Sequence, residues 1–251
     1  MNSAPEPNAI DKSALRNAAT VIALRDRKTA PKVLMGQRGA KAAFMPNKFV
    51  FPGGAVDPDD AGVPLARPMP QVCRNRLLED CEQDLTHALA TAAIRELWEE
   101  TSLILGQPRS WDTQPPQDWA GFAATGFLPD AHPLQFVFRA ITPPGRPRRF
   151  DARFFLVDAD EISSDLDDFS TAQDELSHLQ WIPLEEVRKF DLPFITEVVL
   201  AEVSARASDP TPPKNVPFFY NSKEESLFRR LKGRGPLSGR SFDRDGNPQG
   251  A

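Results

Sequence analysis

Arg95-Glu96-Leu97-Trp98-Glu99-Glu100-Thr101 places three glutamates within five residues. They close a run, Thr86 to Thr101, that holds neither proline nor glycine. Leu89, Ala93 and Leu97 recur every four residues, the spacing of one face of an amphipathic helix. Asp84 or Thr86 supplies a helix cap. Positions i, i+3 and i+4 of a helix span an arc of roughly 100°, so Glu96, Glu99 and Glu100 project from one side. Three carboxylates this close repel one another. A hard divalent cation reverses that penalty, because magnesium and manganese take oxygen ligands and bridge carboxylates to substrate phosphates. Arg95 would neutralise part of the charge and hold a glutamate in place. The plain alternative is a solvated acidic helix face.

Upstream of this helix, Ala18 to Leu24 and Lys32 to Gln37 read as strands, joined by a charged turn at Arg25 to Lys28 as a hairpin. Phe49 to Phe51 is a short extended piece that ends in a turn at Pro52-Gly53-Gly54. From Asp57 to about Asp84, Pro58, Pro64, Pro68 and Pro70 break any long element. This segment is expected to lie outside the sheet core, with a short helix at Arg74 to Cys81. Downstream, residues 107 to 118 read as a loop. Leu134 to Ala140, Arg149 to Val157 and Ser177 to Ile182 read as strands. In the second of these, Phe150, Ala152 and Phe154 alternate with Asp151, Arg153 and Phe155. Pro183-Leu184-Glu185-Glu186 is expected to open a helix, and another is expected over Pro193 to Ala207. The resulting organisation is a tail over 1–16, one domain over 17–232 and a tail over 233–251. Within the domain lie the insertion near 57–84 and a helical extension over 184–232.

The chain has 251 residues, 40% hydrophobic and 26% charged, with a net charge of −5. That is ordinary for a globular domain. It gives no general attraction to nucleic acid or to acidic membranes, so neither is expected as a partner. An anionic substrate must be held by local cations or by metal ions. No apolar run reaches membrane-spanning length. The two cysteines, Cys73 and Cys81, lack partners at zinc-site spacing and suit a reducing cytoplasmic setting.

With Phe51-Pro52-Gly53-Gly54 ahead of the helix and Ser102-Leu103-Ile104 behind it, the chain resembles the Nudix hydrolases. Their signature is a glycine, five residues, a glutamate, seven residues, then Arg-Glu-apolar-any-Glu-Glu-any-Gly-apolar. Gly54 matches its first position, and Arg95, Glu96, Leu97, Glu99, Glu100 and Leu103 match its second half. Two positions depart from it. Asp60 stands where the first glutamate is, and Ser102 stands for the late glycine. Thirty-four residues separate Asp60 from Arg95 where the signature has seven, an insertion of 27 residues. The flank Phe44-Met45-Pro46-Asn47 and the segment Pro143 to Phe155 resemble the branch of the mammalian peroxisomal coenzyme A diphosphatase. So does the split signature.

The resemblance covers roughly residues 17 to 190. It implies an α/β/α sandwich on a mixed sheet, with the signature forming a loop–helix–loop, to which the chain reading adds the C-terminal helices. It also implies Mg2+ or Mn2+ held by Glu96, Glu99 and Glu100, and cleavage of a small-molecule nucleotide diphosphate by water. Outside the signature, Glu175 of Asp174-Glu175 is the nominated general base, with Glu96 the alternative within it, and His178 reads as an ordinary strand residue. Gly53, Gly54, Arg146, Arg148, Arg149 and Arg153 are the nominated substrate-binding residues, since guanidinium suits phosphate. Trp98 reads as a packing residue. The expected substrate is coenzyme A or an acyl-coenzyme A, cut to 3′,5′-ADP and (acyl-)4′-phosphopantetheine. ADP-ribose or a dinucleotide is the alternative within enzymes, and an inactive nucleotide-sensing domain the alternative outside them. A homodimer is left open.

Overall fold

Strand β1, Leu15–Arg25, sorts its side chains with period two. Ala19, Val21 and Ala23 join one buried cluster, while Ile22 and Leu24 join another. A strand buried on both sides belongs inside a sheet covered on both faces. The computed structural model has that arrangement. It describes residues 14–42, 45–81, 83–146, 148–221 and 226–233, and the backbone of 241–242 and 248–249.

Strand β2 (Lys32–Arg38) pairs antiparallel with β1, Leu24 opposite Val33, as the hairpin reading expects. Then come β3 (Phe49–Val50), β4 (Gly53–Ala55), α1 (Gln71–Leu77), α2 (Thr86–Thr101), β5 (Gly106–Pro108), α3 (Ala120–Ala124) and β6 (Phe127–Pro129). They are followed by β7 (Gln135–Ile141), β8 (Arg149–Asp158), β9 (Leu176–Pro183), α4 (Phe194–Ser204), β10 (Val216–Asn221) and β11 (Ser226–Leu231). Two-residue strands β12 (Ser241–Phe242) and β13 (Pro248–Gln249) pair with each other, as β5 does with β6.

Nine strands form one mixed sheet in the order β11-β10-β7-β8-β1-β2-β3, with β4 also on β1 and β9 also on β2. The β1–β8 and β7–β10 pairs are parallel. Helix α2 covers one face with Leu89, Ala93, Ile94 and Leu97, and α4 covers the other with Val199, Leu200 and Val203. Each fully buried Leu or Val side chain contributes about 1.5–3 kcal/mol. This is the expected α/β/α sandwich. β1 meets β4 over Ala18–Thr20 and β2 only at Leu24–Arg25, so the sheet opens between them. The candidate site lies at that opening.

Several expectations are corrected. β1 begins at Leu15, inside the expected tail, because its first residues pair with Arg149 and Phe150 of β8. Pro52-Gly53-Gly54 runs into a strand rather than a free turn, since Gly53 and Gly54 pair with Thr20 and Ala19. The insertion adds no strand, yet it is not outside the core: Val63, Met69, Cys73 and Leu77 are buried in the α2-side cluster. Its prolines hide an apolar face that needs no long helix. The segment 184–232 is not a helical extension. It holds one helix, α4, and the β10–β11 hairpin that extends the sheet. Pro183 closes β9, and only a 3-10 turn at Val187–Lys189 follows. Cys73 and Cys81 are free thiols. No helix of the described residues is long and apolar enough to cross a membrane. Residues 1–13, Phe44, Glu82 and most of the tail beyond Gly233 lie outside the described residues.

Candidate active site

Helix α2 spans Thr86–Thr101, the run expected from its spacing, and its last turns carry the glutamates. Arg95, Glu96 and Glu100 are buried. Arg95 Nη1 donates to Glu96 Oε1 at 2.9 Å and to Glu99 Oε2 at 3.1 Å. Its other edge is taken by Asp60, which accepts Nε at 3.0 Å and Nη2 at 3.1 Å. Asp60 is fully buried, and it also accepts the Trp119 indole and the Asp57 amide. The insertion therefore returns Asp60 to the helix, where it grips Arg95 on two atoms. Sequence spacing could not show this through so long a loop.

Glycine matters at Gly54. A Cβ there would fall 2.4 Å from Glu96 Oε1. The bare backbone lets the carboxylate come up against β4 and line the opening of the sheet. Glu100 packs beside it, with Oε2 accepting the Gly53 amide at 2.8 Å. Its Oε1 is buried with no hydrogen-bond partner among the described residues.

The charges are poorly compensated. Burial, with Glu99 adding to it against Arg95, pushes Glu96 up to about 7. Burial also raises Glu99, and burial plus the Glu96 charge raise Glu100 well above the usual range. Arg95 is opposed by its own burial, but Asp60, Glu96 and Glu99 outweigh that and hold it above its ordinary value. The site thus demands more positive charge than one guanidinium brings. Donor type, the orphaned Glu100 oxygen and the raised carboxyls all fit a hard divalent cation. Among the described residues the carboxylates do not close into a finished cage, because Arg95 stands between Glu96 and Glu99.

Glu96 lines a cleft of about 770 Å3. Glu175 reaches the same cleft from the turn before β9, and Arg38 Nη2 donates to its Oε1 at 2.8 Å. Arg146 and Arg148, two of the residues nominated for substrate, line the cleft, and Arg16, Arg38 and Lys48 join them. Sequence reading missed these three, which lie outside any motif. Lys48 pairs with Asp191. Arg16, Arg146 and Arg148 form no ion pair among the described residues. The wall between is apolar, with Phe150, Ala152, Phe154, Leu192 and Phe219.

Arg149 and Arg153 do not reach this cleft, which corrects their nomination. Arg149 is buried and donates from Nε to the Thr142 carbonyl at 3.3 Å. Arg153 points to the opposite face of β8, where Asp151 joins it at 3.0 Å and Arg139 at 2.7 Å in a buried ion cluster. The alternation of the strand separates Arg153 from Phe150, Ala152 and Phe154. Trp98 packs edge-on against Phe122 at 6.0 Å, in keeping with a packing role. His178 sits at positive φ, at an irregularity in the β2–β9 pairing.

Ser102, in place of the late glycine, ends α2 in the left-handed conformation with φ 65°. That geometry normally favours glycine. Here the serine hydroxyl gains a bond, accepting from Thr171 Oγ1 at 2.8 Å.

No family model matches the chain. A curated Caenorhabditis elegans protein, whose name assigns it to the nudix hydrolases (number 7), is 29% identical over 186 residues. The match covers 69% of this chain and 53% of that protein, so the chain spans about half the length of its curated relative. A solved NUDIX hydrolase from Alicyclobacillus acidocaldarius is 28% identical and superposes with a TM-score of 0.58. That match covers 78% of this chain and 93% of the other.

Proposed function

We propose that this chain, which belongs to the Nudix hydrolase superfamily, is a magnesium- or manganese-dependent diphosphatase. Its substrate would be a nucleoside diphosphate joined to another moiety, and specifically coenzyme A or an acyl-coenzyme A. The products would be 3′,5′-ADP and (acyl-)4′-phosphopantetheine. One observation carries the reading: the buried, undercompensated Glu96 of α2, with Glu100 packed beside it, lines a cleft whose other walls hold cations and apolar side chains.

Glu96, Glu99 and Glu100 would hold the cation. When bound, it neutralises phosphate oxygens and lowers the pKa of water at neutral pH. Arg95, itself gripped by Asp60, fixes Glu96 and Glu99 in place. Glu175, half-exposed in the cleft, accepts the proton of the attacking water as one P–O bond forms and the bridging P–O bond breaks. Arg146 and Arg148, free of ion pairs among the described residues, bind phosphate away from the scissile bond. A 3′-phosphate beyond the diphosphate needs cations of that kind. The apolar wall suits the pantetheine or acyl arm. We place this chemistry in the cytoplasm, a setting with which the two free thiols accord.

The test is a panel of coenzyme A, 3′-dephospho-coenzyme A, ADP-ribose and a dinucleotide, with magnesium or manganese and products identified by mass spectrometry. Coenzyme A should be turned over about tenfold more efficiently than its 3′-dephospho form, a discrimination of about 1.4 kcal/mol. Arg146→Ala with Arg148→Ala should erase most of that difference. Equal rates on the two would remove the 3′-phosphate reading. Faster turnover of ADP-ribose would reassign the substrate and leave the diphosphatase assignment in place.

A further inference from the structure

The turn that carries Glu175 is tied to the ligand helix. Thr171 Oγ1 donates to Ser102 Oγ at 2.8 Å, and the Gln173 amide donates to the Glu99 carbonyl at 2.7 Å. Both ties act on backbone and hydroxyl groups upstream of Glu175 and leave its own side chain unfixed. That side chain is 52% exposed, so on its own it would sample several rotamers.

Arg38 removes this freedom. It ends β2 opposite Leu176, the residue after Glu175. Its amide donates to the Lys48 carbonyl at 2.9 Å, and its carbonyl accepts the Asn47 amide at 3.0 Å, so its backbone is held on both sides. Its side chain is only 16% exposed, and Nη2 reaches Glu175 Oε1 at 2.8 Å. The ion pair is thus asymmetric, with a fixed, mostly buried guanidinium holding a more mobile carboxylate. A pair this exposed on one side contributes little to stability, so its effect falls on geometry.

We infer that Arg38 is the positioning residue for Glu175: it holds Oε1 and leaves Oε2 to take the proton of the attacking water. The inference rests on the proposed role of Glu175 as general base. Neither Arg38 nor its spacing to Glu175 belongs to the glutamate-rich signature. Arg38 also sets its positive charge close to Glu100, while Glu175 sets a negative charge close to both Glu96 and Glu100. The bridge therefore keeps an additional carboxylate beside two others that repel it.

The experiment compares Glu175→Gln, Arg38→Ala, Arg38→Gln, Arg38→Lys and the double variant Arg38→Ala with Glu175→Gln. Steady-state kinetics are run with magnesium on coenzyme A and on ADP-ribose, beside thermal unfolding of each variant. Glu175→Gln should lower kcat about a hundredfold, within the range for loss of a general base. Arg38→Ala should lower kcat about tenfold, through misplacement of the base, with KM changed less than about twofold. Arg38→Lys should recover most of that loss. The double variant should be no slower than Glu175→Gln alone, since a base that is absent cannot be misplaced. Arg38→Gln keeps the bulk of the side chain and reports kinetics even where the alanine variant folds poorly. A normal kcat in Arg38→Gln, with Glu175→Gln slow, overturns the positioning role and leaves the base assignment standing. Losses that multiply in the double variant, with KM raised by Arg38→Ala, overturn it in favour of a direct phosphate contact. A normal kcat in Glu175→Gln overturns the base assignment itself, and the role of Arg38 with it.

Discussion

Asp60→Asn is the sharpest probe of how the interrupted motif is held together. Both oxygens of Asp60 are committed to donors: Oδ1 to Arg95 Nε and the Trp119 indole, Oδ2 to Arg95 Nη2 and the Asp57 amide. An amide in its place keeps the volume but turns one acceptor into a donor that faces donors. It also strips the buried guanidinium of the partner that grips it on two atoms. Breaking a buried ion pair costs about 3–5 kcal/mol. Arg95 retains Glu96 and Glu99, so the lower end, about 3 kcal/mol, is expected. For a domain of this size that is a fall in Tm of roughly 6–12 °C. The site should suffer too. An Arg95 released by Asp60 keeps Asp57 at 3.4 Å and the Ala55 carbonyl, but leans more on Glu96 and Glu99 and competes there with the cation. The magnesium concentration for half-maximal activity should rise about tenfold, the equivalent of about 1.4 kcal/mol. Thermal unfolding in chelator and a magnesium titration of activity measure the two effects. Asp59→Asn, at the exposed neighbour, is the control and should stay within about 0.5 kcal/mol of the parent. An Asp60→Asn protein that melts within about 2 °C of the parent, with an unchanged magnesium requirement, would refute the reasoning.

Glu100→Gln keeps an acceptor for the Gly53 amide but removes a buried charge. It should lower kcat at least about a hundredfold, roughly 2.7 kcal/mol of barrier, while melting no lower than the parent in chelator. Near-normal turnover would dismiss Glu100 as a ligand. The raised Glu96 carboxyl sets a pH dependence of stability in the metal-free protein. A carboxyl with a raised folded pKa stabilises the fold at low pH, and that contribution is lost as pH rises through the folded value. Urea unfolding in chelator should therefore show a loss of up to about 3 kcal/mol as pH rises from 4.5 to about 7. Added magnesium should flatten the loss, and a profile that rises over that window contradicts the charge balance described. Ser102→Gly relieves a left-handed serine worth about 1 kcal/mol and should raise Tm by about 2–4 °C. It also cuts the bond from Thr171, and kcat should fall severalfold although the protein is more stable. Gains in both would show that the bond does not serve the site.

What could be read from the sequence follows the range of the forces involved. Helix α2 was legible to the residue, because its spacing, its freedom from proline and glycine, and its glutamates are local facts. The strands of the β1–β2 hairpin and β7, β8 and β9 were legible for the same reason. The β10–β11 hairpin was not. Val216–Asn221 contains Pro217, and its place as a strand depends on pairing with β7, almost eighty positions earlier. The insertion misled through its prolines, which break elements without preventing Val63, Met69, Cys73 and Leu77 from being buried.

Arg153 makes a different point. The arginines from 146 to 153 look like one cationic cluster when counted along the chain. A strand divides them by parity from Arg149 onward, and the alternation of Phe150, Ala152 and Phe154 with Asp151, Arg153 and Phe155 was visible beforehand. Phe155 is fully buried in the α2-side cluster, so Arg153 had to share that face. The signal was present, and linear counting overrode it. Asp60 and Arg38 carried no such signal. Each acts across a distance that the loop between partners conceals: 35 positions from Asp60 to Arg95, and 137 from Arg38 to Glu175. For residues of that kind only the folded sheet supplies the neighbour. The predictions that discriminate most between readings of this site accordingly fall on Asp60 and Arg38 rather than on the glutamates that first reveal it.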